Sequence, residues 1–331
     1  MNKNFWTTLP KPIVALAPMA GVTDAAFRIV SKEFGADVIY TEFASSNALV
    51  HDSQRTFEMI KFDERERPVV CQIFGNDPEM FMKASRQLER MGFDGVDINF
   101  GCPAYKVVKH GGGVSLMRTP ALCRELVQAA CEGAKHIPVS IKIRSSICKE
   151  GCDKRDPANH VTALDLINLI QDLPVAAIMI HGRSYELPFD GEPNVSMIKQ
   201  VKHAFKGVTI ANGGIHTPED AKRILDETGA DGVGLARGVR GSPWLFRQIK
   251  EYLATGAYTD FAWEEKKQLA LRHARRAAEI KGDHGIIEMR KHLAWYVHGM
   301  HGASTLRQQL VRVTSVDDIE KLLAGFSPIQ V

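Results

Sequence analysis

Residues 94–118 read DGVDINFGCPAYKVVKHGGGVSLMR. The run Val96-Asp97-Ile98-Asn99-Phe100 has the make-up of a buried strand, and Gly101-Cys102-Pro103 then breaks it in a turn that presents one thiol. A basic run from Lys106 to His110 follows, and after it three consecutive glycines, Gly111 to Gly113. A strand that ends in a polar residue and a cysteine, with a mobile Gly-rich loop behind it, is how an α/β barrel displays chemistry at the C-terminal ends of its strands. A barrel strand carrying an inert, buried free cysteine is the competing reading, because unpaired cysteines are among the most buried residues. The rest of the chain decides between them.

Short apolar runs recur at 13–17, 38–42, 69–74, 94–99, 139–143, 176–180, 208–211 and 232–235. They are nearly continuously apolar rather than alternating, as expected of strands buried on both faces. Helical patterns follow all but the second, where His51–Glu58 fills the gap weakly. Several helices open on Asp-Pro or Thr-Pro pairs, at Asp77-Pro78, Thr119-Pro120 and Thr217-Pro218, which combine an N-cap with proline at the first helical position. Another opens behind Thr23-Asp24, and one spans Val161–Gln171. Eight βα units in about 240 residues are an α/β (β/α)8 TIM barrel rather than an open doubly wound sheet. No G-x-G-x-x-G follows the first strand, which argues against a dinucleotide-binding Rossmann domain. Beyond about Tyr252 the strand signal stops, and Trp263–Lys281, His284–His301 and Thr305–Ala324 read as helices. The expected organisation is a catalytic barrel over 1–245 and an all-helical domain over 246–331.

At 331 residues, 44% hydrophobic and 24% charged, the chain has an ordinary globular composition, and its net charge of +3 does not announce a nucleic-acid binder. The charge is uneven, however. Between Glu264 and Arg312 there are ten Lys/Arg against five Asp/Glu, concentrated in Arg272, Arg275, Arg276 and the run Arg290-Lys291-His292. A basic helical face suits phosphate contacts, although salt-bridged solvated faces have the same composition. The six cysteines lack the spacing of a disulfide scaffold, Met1 to Lys11 has no signal-peptide core, and no apolar run approaches a membrane span. A cytoplasmic location, no membrane association and a monomeric state are the expectations. Cys148 and Cys152 with His160 fall short of a four-ligand set, so no metal is expected and the 145–160 segment reads as a charged surface loop. Cys71, Cys123 and Cys131 read as core thiols.

The strand ends are more informative together than singly. They are Pro18-Met19-Ala20, Gln72, Asn99 with Cys102, Lys142, His181, Asn212-Gly213-Gly214 and Ala236-Arg237-Gly238. In a barrel they converge on one mouth. An amide, an ammonium and an imidazole are costly to bury without partners, and a flat heteroaromatic ring with carbonyls and ring nitrogens would satisfy them. The glycine-rich ends of the last two strands, with Arg237, occupy the usual phosphate position of a barrel. The combination reads as FMN.

The chain resembles the tRNA-dihydrouridine synthases, most of all their bacterial B-type members. The resemblance is carried by APMAGVTDAAFR (17–28), QIFG (72–75), DINFGCPAYKVVKHGGG (97–113), IKIR (141–144), HGR (181–183), NGGI (212–215), ARG (236–238) and RKHLAWYVHGM (290–300), nearly the whole chain. It implies reduction of the C5–C6 double bond of particular tRNA uridines, with FMN as prosthetic group and NADPH as reductant. Hydride would pass from flavin N5 to uracil C6, and Cys102 would protonate C5. A thiol with a reference pKa of about 8.5 is mostly protonated at neutral pH and suits that role. The uracil must leave its stack to meet a flavin. The resemblance puts Pro18, Met19, Ala20, Gln72, Lys142, His181, Asn212, Gly213, Gly214, Ala236 and Arg237 around the cofactor. It assigns Asn99, Lys106, Arg183, Arg290, Lys291 and His292 to the substrate. Relatives often carry an acidic residue where this chain has Gly214, which shifts that contact to backbone. The Lys- and Gly-rich run after Cys102 reads as a loop that closes over the inserted nucleotide.

Two other readings stand beside this one. An FMN barrel oxidising a free dihydropyrimidine or dihydroorotate would run similar chemistry in reverse, but has no use for a basic helical domain. A non-catalytic tRNA-binding protein would not need Cys102 and a full set of flavin positions.

Overall fold

The period of two along each apolar run sends alternate residues to opposite faces, and in a closed barrel those faces are the lumen and the helix layer. A computed structural model describes residues 4–328 apart from 155 and 189. The strands are β1 (Ile13–Leu16), β2 (Val38–Tyr40), β3 (Val69–Phe74), β4 (Gly95–Phe100), β5 (Val139–Arg144), β6 (Val175–His181), β7 (Val208–Asn212) and β8 (Gly232–Leu235). All pair in parallel with their chain neighbours, and β8 closes on β1 with Ile13 opposite Gly232 and Leu16 opposite Leu235. The ring is the expected (β/α)8 barrel.

Ile13, Ala15, Val38, Tyr40, Val70, Ala177, Met179, Val208 and Ile210 fill the lumen in one apolar cluster, which Trp6 joins as a fully buried side chain. The residues between them, such as Val14, Ile39, Cys71, Ile98, Ile141 and Ile178, belong to a second cluster shared with the surrounding helices. The outer ring includes α1 (Ala25–Glu33), α2 (Pro78–Arg90), α3 (Pro120–Gly133), α4 (Ala163–Ile170), α5 (Val195–Ala204), α6 (Pro218–Thr228) and α7 (Leu245–Thr255). Side-chain caps start several of them: Asp24 accepts from Phe27 N, Asp77 from Glu79 N and Met80 N, and Thr217 forms a capping box with Asp220. Thr119 makes no such bond, so Pro120 alone marks that start.

Several boundaries differ from the sequence reading. β2 stops at Tyr40 because Gln72 N turns to the Thr41 hydroxyl, 3.2 Å away, instead of continuing the ladder. Two short helices, Ser46–Val50 and Gln54–Ile60, fill the gap before β3. The polar 145–160 loop contains an antiparallel pair, Ser146–Cys148 with His160–Thr162, that buries Ile147 and Cys148.

The remaining helices are α8 (Trp263–Lys281), α9 (Asp283–Tyr296), α10 (Ala303–Leu310) and α11 (Val316–Ala324). The single helix expected over 305–324 is two, since Ser315 caps α11 in a box with Asp318 and Thr314 also donates to Asp318. α9 ends at Tyr296 rather than at 301, and Gly299 and Gly302 beyond it have left-handed φ of 78° and 80°. α8 lies against α1 and α9. Trp244 stacks on Phe261 with ring centroids 4.5 Å apart, and Arg276 pairs with Glu33 at 2.8 Å. No helix among the described residues is long and apolar enough to cross a membrane.

Candidate active site

The lumen-facing parity that puts Val70, Ala177, Met179, Val208 and Ile210 in the core carries on to Gln72, Lys142, His181 and Asn212, and to Asn99, at the C-terminal strand ends. They line one cavity of about 750 Å³ together with Pro18, Met19, Ala20, Cys102, Arg183, Gly213, Gly214, Ala236 and Arg237. Its volume is that of a small-molecule site. Every position expected to touch a flavin therefore borders the same space, as do Asn99 and Arg183 on the substrate side.

A chain of hydrogen bonds climbs from the lumen to the backbone turn that carries the thiol. Asp97, fully buried, accepts from Ser140 Oγ at 2.7 Å and from Gln72 Nε2 at 2.7 Å. Gln72 Oε1 accepts from Asn99 Nδ2 at 3.0 Å, and Asn99 Oδ1 accepts from the backbone N–H of Gly101 at 3.1 Å and of Cys102 at 2.9 Å. Burial pushes the Asp97 carboxyl up to about 6, against the opposing pull of those hydrogen bonds and the Lys142 charge. Asn99 thus spends its carbonyl end on the turn that carries Cys102. Only its second amide hydrogen remains for a base, because Gln72 takes the first.

Burial likewise raises the Cys102 thiol, offset by a backbone hydrogen bond at Ala104 and by the charges of Lys142 and Arg144. A raised thiol is protonated at neutral pH and can give a proton. Arg144 fixes the same turn from the other side, with Nε donating to Gly101 O at 2.9 Å and Nη1 to Ser184 O at 2.9 Å. The glycines complete the seat. Gly113 has φ of 61°, and a Cβ there would lie 2.7 Å from Cys102 O. Residues 113–118 form a 3-10 turn that packs beneath Cys102, with Val114 N donating to Cys102 O at 3.1 Å, whereas Lys106 lies exposed on a one-turn helix, Tyr105–Lys109.

The cations share the opposite wall. Burial draws Lys142 down to about 8, and its Nζ donates to Asn212 Oδ1 at 3.3 Å. Burial also holds His181 far below its ordinary range, reinforced by Lys142, Arg144, Arg183 and Arg237, so its imidazole is neutral. Gly213, with φ of 105°, brings the backbone against His181, and a Cβ there would sit 2.5 Å from the ring. An ammonium with three donors and one acceptor, a neutral imidazole and a glycine turn beside an arginine match the carbonyls, ring nitrogens and phosphate of FMN. The donor set fits that cofactor.

Strand parity alone would have found Asp97, which the sequence reading passed over as part of an apolar run. Arg144 stood in the quoted IKIR without a role. Lys154, Glu186 and Arg240 also border the cavity, and nothing local in sequence marks them. In the 145–160 segment Cys148 Sγ donates to Cys152 O at 3.7 Å, and His160 meets Ser146 Oγ and Lys154 O. Burial raises Cys71 and Cys131 to about 12, and Cys123 further still.

The basic run on α9 divides. Lys291 reaches the barrel mouth, since a Cβ built on Gly21 would lie 3.7 Å from its Nζ. Arg290 Nε donates to Val313 O at 2.9 Å. His292 is 2% exposed, packed against Phe27 and edge-on to His273, so the expected substrate contact gives way to a place in the joint between barrel and helices. That joint also holds Asp24, which pairs with Lys281 at 2.8 Å.

A family model described as dihydrouridine synthase matches residues 15–327. A protein named tRNA-dihydrouridine synthase B from Pseudomonas aeruginosa is 34% identical over 94% of this chain and 91% of its own length. One of the same name from Shewanella oneidensis is 34% identical over 85% of each. A probable tRNA-dihydrouridine synthase 1 from Synechocystis is 34% identical over 94% of this chain and 85% of its own length. Among solved structures, morphinone reductase superposes with a TM-score of 0.51 at 15% identity, covering 78% of this chain and 90% of that one. Histamine dehydrogenase from Rhizobium gives 0.53 at 11% identity over 80% of this chain, which spans about half (48%) of that protein's length. At such identity the two structures show a shared barrel fold.

Proposed function

The chain belongs to the dihydrouridine synthase family, and from that premise we propose that it is the oxidoreductase that converts uridines of tRNA to 5,6-dihydrouridine, with FMN as prosthetic group and NADPH as reductant. The observation that carries this reading is the thiol of Cys102, held by Asn99 and Arg144 over a cavity whose other wall is Gln72, Lys142, His181, Gly213 and Arg237. FMN bound there would supply the hydride for uracil C6. Cys102 donates its proton to C5 from the same cavity, and the thiolate left behind is stabilised by Lys142 and Arg144, whose charges both favour its ionised form. Proton return from solvent restores the thiol.

Gln72 and Lys142 would hold the flavin ring, and Asn212, Gly214, Ala236 and Arg237 would hold the ribityl and phosphate end. Asn99 offers its remaining amide hydrogen to the base, and Arg183 and Lys106 contact the inserted nucleotide or its phosphates. Of the helical domain expected over 246–331, α7 belongs to the barrel's outer ring; we assign the helices beyond it, from Trp263, to tRNA binding, with Arg290 and Lys291 on the RNA side and His292 behind them. The protein then works as a cytoplasmic monomer. Mapping dihydrouridine in tRNA from cells with and without the gene, alongside the absorption spectrum of purified protein, tests this. A yellow protein and loss of dihydrouridine at defined positions are expected. A colourless protein that FMN does not reconstitute, or an unchanged modification map, overturns it.

A further inference from the structure

Arg240 borders the cavity but belongs to none of the groups described so far. Residues Arg237–Val239 form a 3-10 turn, and Arg240 N closes it on Arg237 O at 3.2 Å. Side chains three apart in a 3-10 turn eclipse one another, so Arg237 and Arg240 project on one side, and both line the cavity. The Arg240 guanidinium lies over the Trp295 ring of α9, 4.9 Å from its centre, at the seam between barrel and helices. Its Nε is buried without an acceptor. Burial and the charge of Arg237 both disfavour its protonated form.

Two guanidiniums facing one way, with Arg240 set against an aromatic ring and its buried Nε unpaired, have the donors of a phosphate site. We propose that Arg240 is a phosphate ligand acting beside Arg237, bridged to the helical region by Trp295. This rests on the proposed function, which supplies two sources of that chemistry: the terminal monoester of FMN, or a diester of the tRNA strand crossing the mouth. In either case Arg240 is a binding residue that the sequence motifs around Arg237 do not mark.

The test titrates FMN and riboflavin into the deflavinated full-length chain, following flavin fluorescence, and measures tRNA affinity of the flavin-loaded protein against salt. If the anion is the flavin phosphate, Arg240→Gln weakens FMN roughly 10- to 100-fold, the range for a lost charge-assisted hydrogen bond, and leaves riboflavin within twofold. If it is an RNA phosphate, flavin affinities hold and the salt slope of tRNA binding falls by about one. Equal losses for FMN and riboflavin, or no change in any of the three ligands, overturn the proposal. Should Arg240→Gln not fold, Arg240→Lys keeps the charge and stem but loses the fork. A severalfold drop in the FMN-to-riboflavin affinity ratio or in tRNA affinity then supports the proposal, and wild-type values overturn it. Wild-type protein that binds neither FMN nor tRNA refutes the proposed function itself, a result distinct from all of these.

Discussion

Replacing Asn99 with alanine separates two roles that its position allows. The side chain accepts from Gly101 N and Cys102 N at 3.1 and 2.9 Å and donates to Gln72 Oε1 at 3.0 Å. Asn99→Ala frees both backbone amides and strands an acceptor on Gln72, which is 1% exposed. Each net hydrogen bond contributes about 0.5–1.5 kcal/mol and a stranded buried acceptor costs about 1–3, so a loss of about 2–4 kcal/mol of stability is expected. The larger effect is on geometry. With its turn released, the thiol shifts relative to C5, and a displacement of about 1 Å is worth roughly a hundredfold in rate. Turnover of dihydrouridine formation should fall 10- to 100-fold with KM for tRNA within a few fold, and iodoacetamide should alkylate Cys102 at an altered rate. Asn99→Asp sharpens the case. It keeps the acceptor for both amides but sets a second carboxylate beside Asp97, competing for the single Gln72 amide. Protonating one of the pair relieves the conflict, so its activity relative to wild type should rise as pH falls toward 6. An Asn99→Ala enzyme with unchanged kcat, raised KM and wild-type alkylation would refute the reasoning and leave Asn99 as a base ligand only.

Lys291→Ala should weaken tRNA binding and reduce its salt slope by about one, with flavin content unchanged; a wild-type slope would remove α9 from the RNA face. The joint between barrel and helices should be acid-labile. Burial pulls His273 down to about 4 and His292 well below its ordinary range, whereas both titrate near 6.5 once unfolded. Between those values the unfolded chain binds more protons, so stability falls as pH drops from about 6.5 toward 4. At pH 5.5 each histidine accounts for about 1.4 kcal/mol, a melting temperature several degrees below that at pH 7.5. Asp24, kept ionised by Lys281 against its burial, adds its loss only at lower pH. A melting temperature flat across this range would contradict the buried neutral pair.

The barrel was legible because its evidence is local. Continuous apolar runs, proline-led helix starts and polar residues at the strand ends recur along the chain, and each needs only a few neighbours to read. The cavity wall followed because lumen parity is fixed once a strand is, which brings Gln72, Lys142, His181 and Asn212 together without any knowledge of loops. What escaped depends on contacts distant in sequence. His292 looks like part of a basic run until α9 turns it against Phe27, and α9 and α1 are some 260 residues apart. The carbonyl of Asn99 looks available for a base until the turn after β4 folds back on it. Arg144 is one basic residue among many until Gly101 O meets it. The break at 311–315 is the exception: Ser315 and Asp318 form a capping pair visible in sequence, which the amphipathic period over 305–324 had hidden.

The proposed proton transfer depends on Cys102. In single-turnover reactions with pre-reduced protein and unmodified tRNA, Cys102→Ala should show a wild-type flavin spectrum and wild-type tRNA affinity. Flavin reoxidation by tRNA and dihydrouridine formation should both slow by roughly 10²–10⁴, the range for removal of a positioned general acid. Product formed at the wild-type rate by that variant would contradict the assignment of the proton to this thiol.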